Sequence, residues 1–499
     1  MLEHLGTGFA NALQFGPLLG IIAGVVLGYF FGAMPGLSAS AGMALLVPLT
    51  YGMPPEVAIS MLITLYAAAE YGSCVTAITV NTPGTPGAIA VVFDGYAFTR
   101  KGQPAKALGI SIIASTIGAY FGYFVLIVFT EPVARFAITL GAAEYAALGI
   151  FALSIVAGMI GKSWVKGVIM ALVGLMIATV GLDPLVGWPR YTFGQMSLFE
   201  GLSFVPILIG LCAISEALHL MEKPLNIRQK MREMSGALPT WAEITSIKMT
   251  YLRGSVIGTA IGIIPGAGAA IASLISYNEE RRASKHPEKF GTGVLEGVAA
   301  PEAANNATVG GSLIPLLSLG IPGSNSTAIL IGALMLQGIV PGPLLMSRHT
   351  DLVYTIFAAL IIGAPIMLLV GLGLTRVWIS VLKVPEAVLA PVILFIAVIG
   401  SYAYQNSFTD VIVAVTFGII GLLMKRYDFP YAPLILAVVL GEMIEINARR
   451  ALITSHGSFD IFVQRPISAA LLLLTALAIV FPLVRMFRER RAIRRQDNS

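Results

Sequence analysis

The sequence predicts an all-α polytopic membrane protein that crosses the bilayer about 11 to 12 times. Of its 499 residues, 57% are hydrophobic and only 11% are charged, whereas soluble proteins contain about 25% charged residues. The mean hydropathy is +0.85, and apolar runs of about 20 residues, long enough for a membrane-spanning helix, recur from end to end. The net charge of +5 is no sign of nucleic acid binding, because the basic residues lie in loops and tails.

The first half begins with an apolar stretch, Gly16 to Thr50, that is too long for one helix and too short for two full crossings with a loop. Gly24, Gly28 and Gly32 form a stripe of small residues that lets another helix approach closely. The Pro35-Gly36 pair that follows breaks the helix, so we predict a re-entrant hairpin. Further spans are predicted at about 106–130, 140–160, 165–182 and 202–221.

Two short polar interruptions break the apolar sequence. The first signature, Asn81 to Ala88, reads NTPGTPGA, and the second signature, Ser318 to Ala328, reads SLGIPGSNSTA. Proline lacks an amide donor and glycine adopts backbone angles that other residues avoid, so both signatures are predicted to break a helix. A helix broken at membrane depth leaves unpaired backbone groups, which must be buried in protein or line a wet cavity. The two signatures are therefore the predicted substrate site.

The second half of the chain repeats landmarks of the first half in the same order. The motif GVVLGYFFGAMPG at Gly24 returns as GSVIGTAIGIIPG at Gly254, a shift of 230 (254 − 24). Two proline pairs also match, with shifts of 239 and 227: Pro83 with Pro322, and Pro206 with Pro433. Internal repeats occur in many transporters, with the binding site where the repeats meet. We therefore predict a first repeat at 1–221, a cytoplasmic linker at 222–249, a second repeat at 250–450, and a final transmembrane helix with a basic cytoplasmic tail at 451–499.

The distribution of Lys and Arg predicts the orientation, because short loops rich in these residues stay in the cytoplasm. The N-terminus lacks both and is predicted to lie outside the cytoplasm. Seven basic segments are predicted to be cytoplasmic, namely Arg100 to Lys106, Lys162 with Lys166, the linker, Glu279 to Lys289, Arg376 with Lys383, Lys425-Arg426 and the C-terminal tail. Arg449-Arg450 would lie outside the cytoplasm and is the exception. If about 252–277 is a second hairpin, each repeat makes five crossings, and the two repeats are inverted in the membrane.

The residues expected to bind the substrate are the polar and small residues of both signatures and of the two hairpin tips. Helix N-termini that follow a break present free amides and a positive dipole end, which suit a carboxylate. These residues are Asn81, Thr82, Pro83, Gly84, Thr85 and Gly87 in the first signature, Gly320, Pro322, Gly323, Ser324, Asn325 and Ser326 in the second, and Pro35, Gly36, Ser38, Gly266 and Gly268 at the tips. The alternative interpretation is a set of kinks and tight turns whose polar groups are satisfied locally.

The expected coupling-ion residues combine neutral oxygen ligands with two carboxylates inside apolar sequence: Ser318, Thr327, Asn305, Asn306, Glu70 and Glu302. Na⁺ prefers oxygen ligands, whereas a carboxylate can carry a proton. A carboxylate near the membrane centre costs about 2.5–3.5 kcal/mol on insertion scales, so its presence indicates a function. For Glu302 the alternative is a helix N-terminus that faces the cytoplasm, because the basic loop ends 13 residues earlier at Lys289 (302 − 289).

The remaining polar residues show no enzymatic pattern. The sequence contains no HExxH or GxxxxGK[ST] motif, and its five histidines have no carboxylate partner at ligand spacing, so we predict no enzyme activity, ATP binding or resident cofactor. Cys74 and Cys212 are expected to be packed small hydrophobes. The carboxylates expected to be interfacial or helix-end charges are Asp94, Glu131, Glu216 and Glu442, and the tryptophans expected to be interface anchors are Trp164, Trp188, Trp241 and Trp378.

Long motifs resemble one known family. GxxxGxxPGLS near the start, NTPGTPGA followed by DGY, and the run from IPGAGAAIASLISYNEERR to SLGIPGSNSTA resemble the large membrane subunit of tripartite tricarboxylate transporters, the TctA type. The resemblance implies a secondary transporter of the bacterial inner membrane, driven by a Na⁺ or proton gradient. It also implies a small membrane subunit (TctB type) and a periplasmic binding protein (TctC type) that delivers citrate or another carboxylate.

Analogy with other carboxylate carriers built from inverted repeats adds the expectation of an elevator-like motion of the signature-bearing hairpins. Two rival functions remain open. One is a channel or exporter that needs no binding protein, which transport by the chain alone would favour. The other is a membrane scaffold or receptor subunit without transport, and two polar helix breaks count against it.

Overall fold

The computed structural model describes residues 1–34, 37–159, 164–222, 237–374, 377 and 386–480. Most of these residues are helical, and the β structure in them is one short ladder in which Gly181–Leu182 pairs antiparallel with Pro189–Arg190. The prediction of an all-α polytopic membrane protein is confirmed.

The helices of the first half are α1 (Leu2–Ala12), α2 (Phe15–Ala33), α3 (Ala39–Leu46), α4 (Pro55–Val80), α5 (Val91–Arg100), α6 (Pro104–Ile138), α7 (Ala142–Met159), α8 (Trp164–Ala178), α9 (Phe204–Leu208) and α10 (Ser215–Glu222). Those of the second half are α11 (Trp241–Ser246), α12 (Lys248–Gly262), α13 (Gly268–Ala283), α14 (Leu295–Leu319), α15 (Asn325–Leu336), α16 (Leu345–Arg348), α17 (Thr350–Gly373), α18 (Glu386–Gln405), α19 (Phe408–Arg426), α20 (Ala432–Thr454), α21 (Ile461–Gln464) and α22 (Pro466–Val480).

Six helices of the described residues are long and apolar enough to cross a membrane: α2, α4, α6, α17, α19 and the continuous helix Phe204–Glu222, which joins α9 to α10 through a π-helical turn at Ile209–Ile214. Shorter apolar helices are α7, α8, α15, α18 and α22. The spans predicted near 106–130, 140–160, 165–182 and 202–221 therefore correspond to helices. The total of about 11 to 12 spans stays a prediction.

A stripe of glycines sets the packing of α2 on α4. A Cβ atom at Gly24 would lie 2.2 Å from the carbonyl oxygen of Met61, and a Cβ atom at Gly28 would lie 2.6 Å from that of Leu65. Real Cβ atoms do not come so close to backbone, so only glycine permits this approach of the two helices.

The same contacts recur between α12 and α14 in the second half. A Cβ atom at Gly254 would lie 2.7 Å from the carbonyl oxygen of Ala300, and one at Gly258 would lie 2.2 Å from that of Ala304. The glycines of α12 follow those of α2 by 230 residues (254 − 24), and their partners on α14 follow those on α4 by 239 residues (300 − 61). The sequence landmarks of the two halves thus take part in equivalent helix pairs.

The chain divides into two compact units. Unit 1 contains Met1–Ala137 and Val205–Leu422, and unit 2 contains Ile138–Phe204 and Leu423–Ser499. Both predicted repeats contribute to both units, so units and repeats are different divisions of the chain. The boundaries at 221, 249 and 450 stay predictions, and parts of the linker (223–236) and of the tail (481–499) lie outside the described residues, as do Lys162, Arg376, Trp378 and Lys383.

Within unit 2, four charged side chains join the short β ladder to α20. Arg190 donates to both carboxylate oxygens of Glu445, at 2.5 and 3.2 Å. Arg449 donates to Asp183 Oδ2 at 2.6 Å and to Glu445 Oε1 at 3.1 Å. The hydrogen bond from Arg449 is the main reason that the pKa of Asp183 is lowered to about 2. Arg449, the exception in the predicted charge distribution, is therefore held in a network of ion pairs.

Candidate functional site

Both signatures begin where a long helix ends in the same way. After α4 ends at Val80, Asn81 adopts the left-handed conformation with a φ of 61°. After α14 ends at Leu319, Gly320 adopts the same conformation with a φ of 73°. The two residues are separated by 239 positions (320 − 81), the shift that also separates the two Pro-Gly pairs. Both predicted helix breaks are confirmed, and the counterpart of Asn81 is Gly320.

After each break, the chain folds back onto the helix pair that precedes it. A Cβ atom at Gly84 would lie 2.2 Å from the carbonyl oxygen of Gly32 on α2. A Cβ atom at Gly323 would lie 2.9 Å from the carbonyl oxygen of Gly262, the equivalent residue on α12. The glycine of each Pro-Gly pair is therefore required by a close backbone contact.

The first signature covers a buried carboxylate on α4. Glu70 is only 8% exposed, and the Thr85 hydroxyl lies 3.2 Å from its Oε2 atom and 2.9 Å from Ser73 Oγ. The Ser73 hydroxyl in turn donates to the carbonyl oxygen of Glu70 at 2.7 Å. The structure thus brings two predicted site residues, Glu70 and Thr85, into direct contact.

Asn305 reaches from α14 to the same place. Its Nδ2 atom donates to the carbonyl oxygen of Glu70 at 3.1 Å. A Cβ atom at Gly87 would lie 2.2 Å from Asn305 Oδ1, so the glycine leaves room for the amide of Asn305 beside the first signature. Asn305 Oδ1 is buried and has no hydrogen-bond partner among the described residues. A buried acceptor without a partner is rare in proteins, and a bound ion or water would satisfy it.

Tyr66 on α4 makes the reciprocal contact with the second signature. Its hydroxyl lies 3.1 Å from Ser324 Oγ and 3.3 Å from Ser312 Oγ on α14. Tyr66 precedes Asn305 by 239 residues (305 − 66), so the two side chains occupy equivalent positions on α4 and α14. Each long helix therefore contacts the signature of the other half, and the two signatures lie on a shared set of helices.

The tips of the predicted hairpins differ in their contacts. In the second hairpin, the amide of Gly266 donates to the carbonyl oxygen of Gly323 at 3.0 Å, and Gly268 begins α13 with a φ of 66°. In the first hairpin, Ser38 is the N-cap of α3, and its hydroxyl accepts from the amide of Ala41 at 3.1 Å. The second tip therefore touches the second signature directly.

Glu302 lies in the interior of unit 1. It is 0% exposed, and the Ser115 hydroxyl of α6 donates to its Oε2 atom at 2.6 Å. Its Oε1 atom and the Oδ1 atom of Asn306 are buried and have no partner among the described residues. The alternative that Glu302 faces the cytoplasm at a helix N-terminus is therefore wrong.

The polar atoms around these carboxylates are mainly oxygens. Within the described ranges, neither Glu70 nor Glu302 forms an ion pair with a Lys, Arg or His residue. The same residues include no group of three or more His, Cys, Asp or Glu side chains that could hold a metal ion. What is present instead is a set of carboxylate, amide and hydroxyl oxygens, the ligands of hard cations.

The other expected site residues differ in their contacts and burial. Ser324 and Thr327 form a capping box at the start of α15, in which the Ser324 hydroxyl accepts from the amide of Thr327. Ser318 donates to the carbonyl oxygen of Ile314 one turn earlier. Asn81 and Thr82 are exposed, Pro83, Gly320 and Asn325 are half-buried, Pro322 and Ser326 are buried, and Pro35 and Gly36 lie outside the described residues.

Three buried polar residues of this region were missed by sequence reasoning. Tyr66 could have been predicted, because it precedes Asn305 by 239 residues, the shift that relates the two Pro-Gly pairs. Ser115 could not have been predicted, since serine is common in membrane helices. Asp94 was expected to be an interfacial or helix-end charge; it does lie in the first turn of α5, but its complete burial was not expected. The expectation for Cys74 and Cys212 is confirmed, because both side chains are buried.

Comparisons with known proteins find matches that cover most of the chain. The family model described as "Tripartite tricarboxylate transporter TctA family" matches residues 18–436. A protein of Agrobacterium vitis, named as an uncharacterized 52.8 kDa protein in the TAR-I ttuC' 3' region, is 35% identical over 491 residues, which are 98% of each chain. A second A. vitis protein, in the TAR-II ttuC' 3' region, is 40% identical over 234 residues, 47% of this chain and 97% of that one. No solved structure matches.

Proposed function

Because the chain belongs to the tripartite tricarboxylate transporter TctA family, we propose that it imports an organic di- or tricarboxylate, such as citrate, across the bacterial inner membrane. It works with a small membrane subunit of the TctB type and with a periplasmic binding protein of the TctC type that delivers the substrate. Its N-terminus faces the periplasm and its C-terminus the cytoplasm, with the basic loops on the cytoplasmic side.

The observation that best supports this function is the pair of reciprocal contacts, Tyr66 with Ser324 and Asn305 with Gly87. They bring hydroxyl, amide and freed backbone groups of two broken helices to one region. A few converging polar groups in an otherwise apolar protein are typical of a small-molecule site. The first turn of α15 adds backbone amides and the positive end of a helix dipole, which attract a carboxylate.

For the coupling ion, we propose the oxygens that lack partners on α14, namely Glu302 Oε1, Asn305 Oδ1 and Asn306 Oδ1. Residues at i, i+3 and i+4 share one side of a helix. Na⁺ would gain a carboxylate and two amide oxygens there. A proton would instead reside on Glu302, whose buried carboxylate has no basic partner among the described residues and is costly in its charged form.

A cation at this place would also help the substrate to bind. An organic carboxylate brings negative charge into a medium of low dielectric constant, and a nearby positive charge offsets that cost. Asn305 connects the two binding events, because it contacts Glu70 on α4 and Gly87 in the first signature as well as offering its free oxygen.

Reconstituted transport tests the proposal. Proteoliposomes would contain this chain with its small membrane subunit, the purified binding protein would be added outside, and labelled citrate and a panel of labelled dicarboxylates would be supplied. A Na⁺ gradient and a pH gradient would be imposed separately. We expect accumulation of at least one carboxylate with only one of the gradients, and only when the binding protein is present.

Two other outcomes would contradict the proposal in different ways. Uptake that needs neither the binding protein nor a gradient would assign the chain to the channels or exporters. No accumulation of any carboxylate under either gradient, in liposomes whose correctly oriented complex is verified by protease protection, would favour a scaffold or receptor subunit.

A further inference from the structure

The carboxylate of Asp94 on α5 occupies a cradle of hydrogen-bond donors. Its Oδ1 atom accepts from the amides of Gly293 at 2.7 Å and Val294 at 3.0 Å. The amide of Gly291 lies 3.0 and 2.9 Å from the two carboxylate oxygens. The hydroxyl of Tyr277 on α13 donates to Oδ2 at 2.9 Å. The charge is therefore compensated by hydrogen bonds from three backbone amides and a phenol, although the residue is fully buried.

The local sequence builds this cradle. Gly291 and Gly293 have φ values of 85° and 96°, a conformation that other residues rarely adopt and that turns neighbouring amides toward one point. Val294 is the N-cap of α14, where free amides and the helix dipole favour an anion. A Cβ atom at Gly297 would lie 2.1 Å from Asp94 Oδ2, so glycine in the first turn of α14 leaves space for the carboxylate.

Asp94 links two parts of the candidate site that are far apart in sequence. It follows the last residue of the first signature, Ala88, by six positions (94 − 88). The helix whose N-terminus it caps is α14, which carries Asn305, and Asn305 lies against Gly87. One carboxylate thus joins the chain that leaves the first signature to the start of the helix that faces this signature, and Tyr277 extends the connection to α13.

We propose that Asp94 is a positioning residue whose carboxylate locks α5 to the N-terminus of α14, so that the first signature and Asn305 keep their spacing while the protein moves between its transport states. Through this contact, α4, α5, α13 and the first half of α14 move together as one rigid unit. The part of this inference that concerns transport rests on the proposed function, whereas the lock itself is tested without transport.

The lock is tested on the purified protein by hydrogen–deuterium exchange. In Asp94→Ala, the amides of Gly291, Gly293 and Val294 lose their acceptor. We expect these three amides to exchange at least about tenfold faster, the factor that corresponds to one charge-assisted hydrogen bond. Formate is small enough to enter the space that Asp94 leaves, so millimolar formate should restore slow exchange. The double variant Asp94→Ala/Gly297→Ala fills that space with a methyl group and should not respond to formate. Asp351→Ala, at an exposed carboxylate on α17, is the matched control and should exchange as the wild type does.

The role in transport is tested by uptake in the same variants. We expect Asp94→Ala to raise KM for the carboxylate and to lower the maximal rate, and we expect formate to reverse both effects. Gly297→Ala should impair uptake in the wild-type background and cause little additional loss in Asp94→Ala, because the displaced carboxylate is then already absent.

Each result decides one part of the inference. Unchanged exchange in Asp94→Ala overturns the lock. Faster exchange with normal uptake kinetics overturns the positioning role while leaving the contact. Wild-type liposomes that take up no carboxylate contradict the proposed function, and the exchange experiment still decides whether the lock exists.

Discussion

Tyr66 and Asn305 occupy equivalent positions on α4 and α14, and each contacts the signature that follows the other helix. The Tyr66 hydroxyl lies 3.1 Å from Ser324 Oγ, and the Asn305 amide fills the space beside Gly87. The two residues are chemically different, although the two Pro-Gly pairs have the same glycine at equivalent positions, Gly84 and Gly323. The two halves therefore share a backbone arrangement and differ in the polar group that each presents to the other.

Removing the hydroxyl of Tyr66 tests the contact between α4 and the second signature. Tyr66→Phe removes one hydrogen bond from each of Ser312 and Ser324, which keep their bonds to Val309 and Thr327, at a cost of about 0.5–1.5 kcal/mol. We expect KM for the carboxylate to rise about 2- to 13-fold with little change in expression. Tyr120→Phe is the control, because that hydroxyl lies on an exposed side chain and bonds to the carbonyl oxygen of Ile361 at 3.3 Å. Unaltered kinetics in Tyr66→Phe would remove Tyr66 from the site.

Neutralising Glu302 tests the coupling ion. Glu302→Gln keeps the shape and the acceptor for Ser115 but removes the charge, so we expect accumulation driven by the ion gradient to fall at least about tenfold. Exchange of labelled for unlabelled substrate without a gradient should be much less affected. The control is Glu131→Gln, which breaks a surface ion pair with Arg135 worth about 0–1 kcal/mol. Full gradient-driven accumulation by Glu302→Gln would exclude this carboxylate from coupling.

Replacing Asn81 by glycine separates its two possible roles. Glycine adopts the left-handed backbone that Asn81 has, as its counterpart Gly320 does, so the end of α4 should be preserved. The amide group is lost, and because we place it in the substrate site, we expect uptake to fall at least about fivefold at an unchanged unfolding temperature. Normal uptake would assign Asn81 to helix capping alone. Gly320→Asn would not serve as the reverse test, because a Cβ atom there would lie 3.0 Å from the carbonyl oxygen of Pro341.

Adding a methyl group to the glycine of either Pro-Gly pair should destabilise the protein, and to a similar extent in the two halves. In Gly84→Ala and in Gly323→Ala the new Cβ would press against the backbone of a neighbouring helix, and we expect each to destabilise the protein by about 1–3 kcal/mol or more. Thermal unfolding in detergent measures the effect. Gly6→Ala, with no atom within 4 Å of the added methyl, is the control. Wild-type stability in either variant would show that its signature does not pack on the helix pair as described.

Acidification should weaken the charge network of unit 2. The pKa of Asp183 is lowered to about 2, against about 3.9 for an unperturbed aspartate. A lowered pKa in the folded state means that the ion pair with Arg449 stabilises the protein above about pH 4 and that this stabilisation is lost as the pH falls toward 2. We expect Asp183→Asn to unfold at a lower temperature than the wild type at pH 7, and this difference to shrink at pH 3. Glu200→Gln, at an exposed carboxylate in the same connection, should show no such pattern, and a constant difference for Asp183→Asn would contradict the argument.

Part of the site could be derived from the chain alone, because its signals are local. Proline and glycine determine backbone conformation within a few residues, so both helix breaks were predictable where α4 and α14 end. The glycine stripes of α2 and α12, which are related by a shift of 230 residues, likewise indicated the two equivalent helix pairs. Glu70 and Glu302 stood out because charged residues are rare in apolar segments.

Other features depended on contacts between distant parts of the sequence. Whether Glu302 faced water or the interior depended on α6, whose Ser115 bonds to it across 187 positions (302 − 115). In the sequence, Asp94 is an ordinary charge near the end of a helix. Only the tertiary structure shows that the loop 291–294 encloses its carboxylate. Burial and hydrogen bonding belong to the neighbours of a residue, and a single sequence does not specify those neighbours.

Sequence by itself therefore determined that this protein spans a membrane, that it belongs with tripartite tricarboxylate transporters, and where its helices break. Hydropathy, helix length and backbone restrictions are properties of short segments, and they can be read without a fold. Tertiary structure alone decided that Tyr66 meets Ser324, that Asn305 faces Gly87 with a free oxygen, and that Asp94 caps α14, because each of these contacts joins residues about 200 or more positions apart that only helix packing brings together.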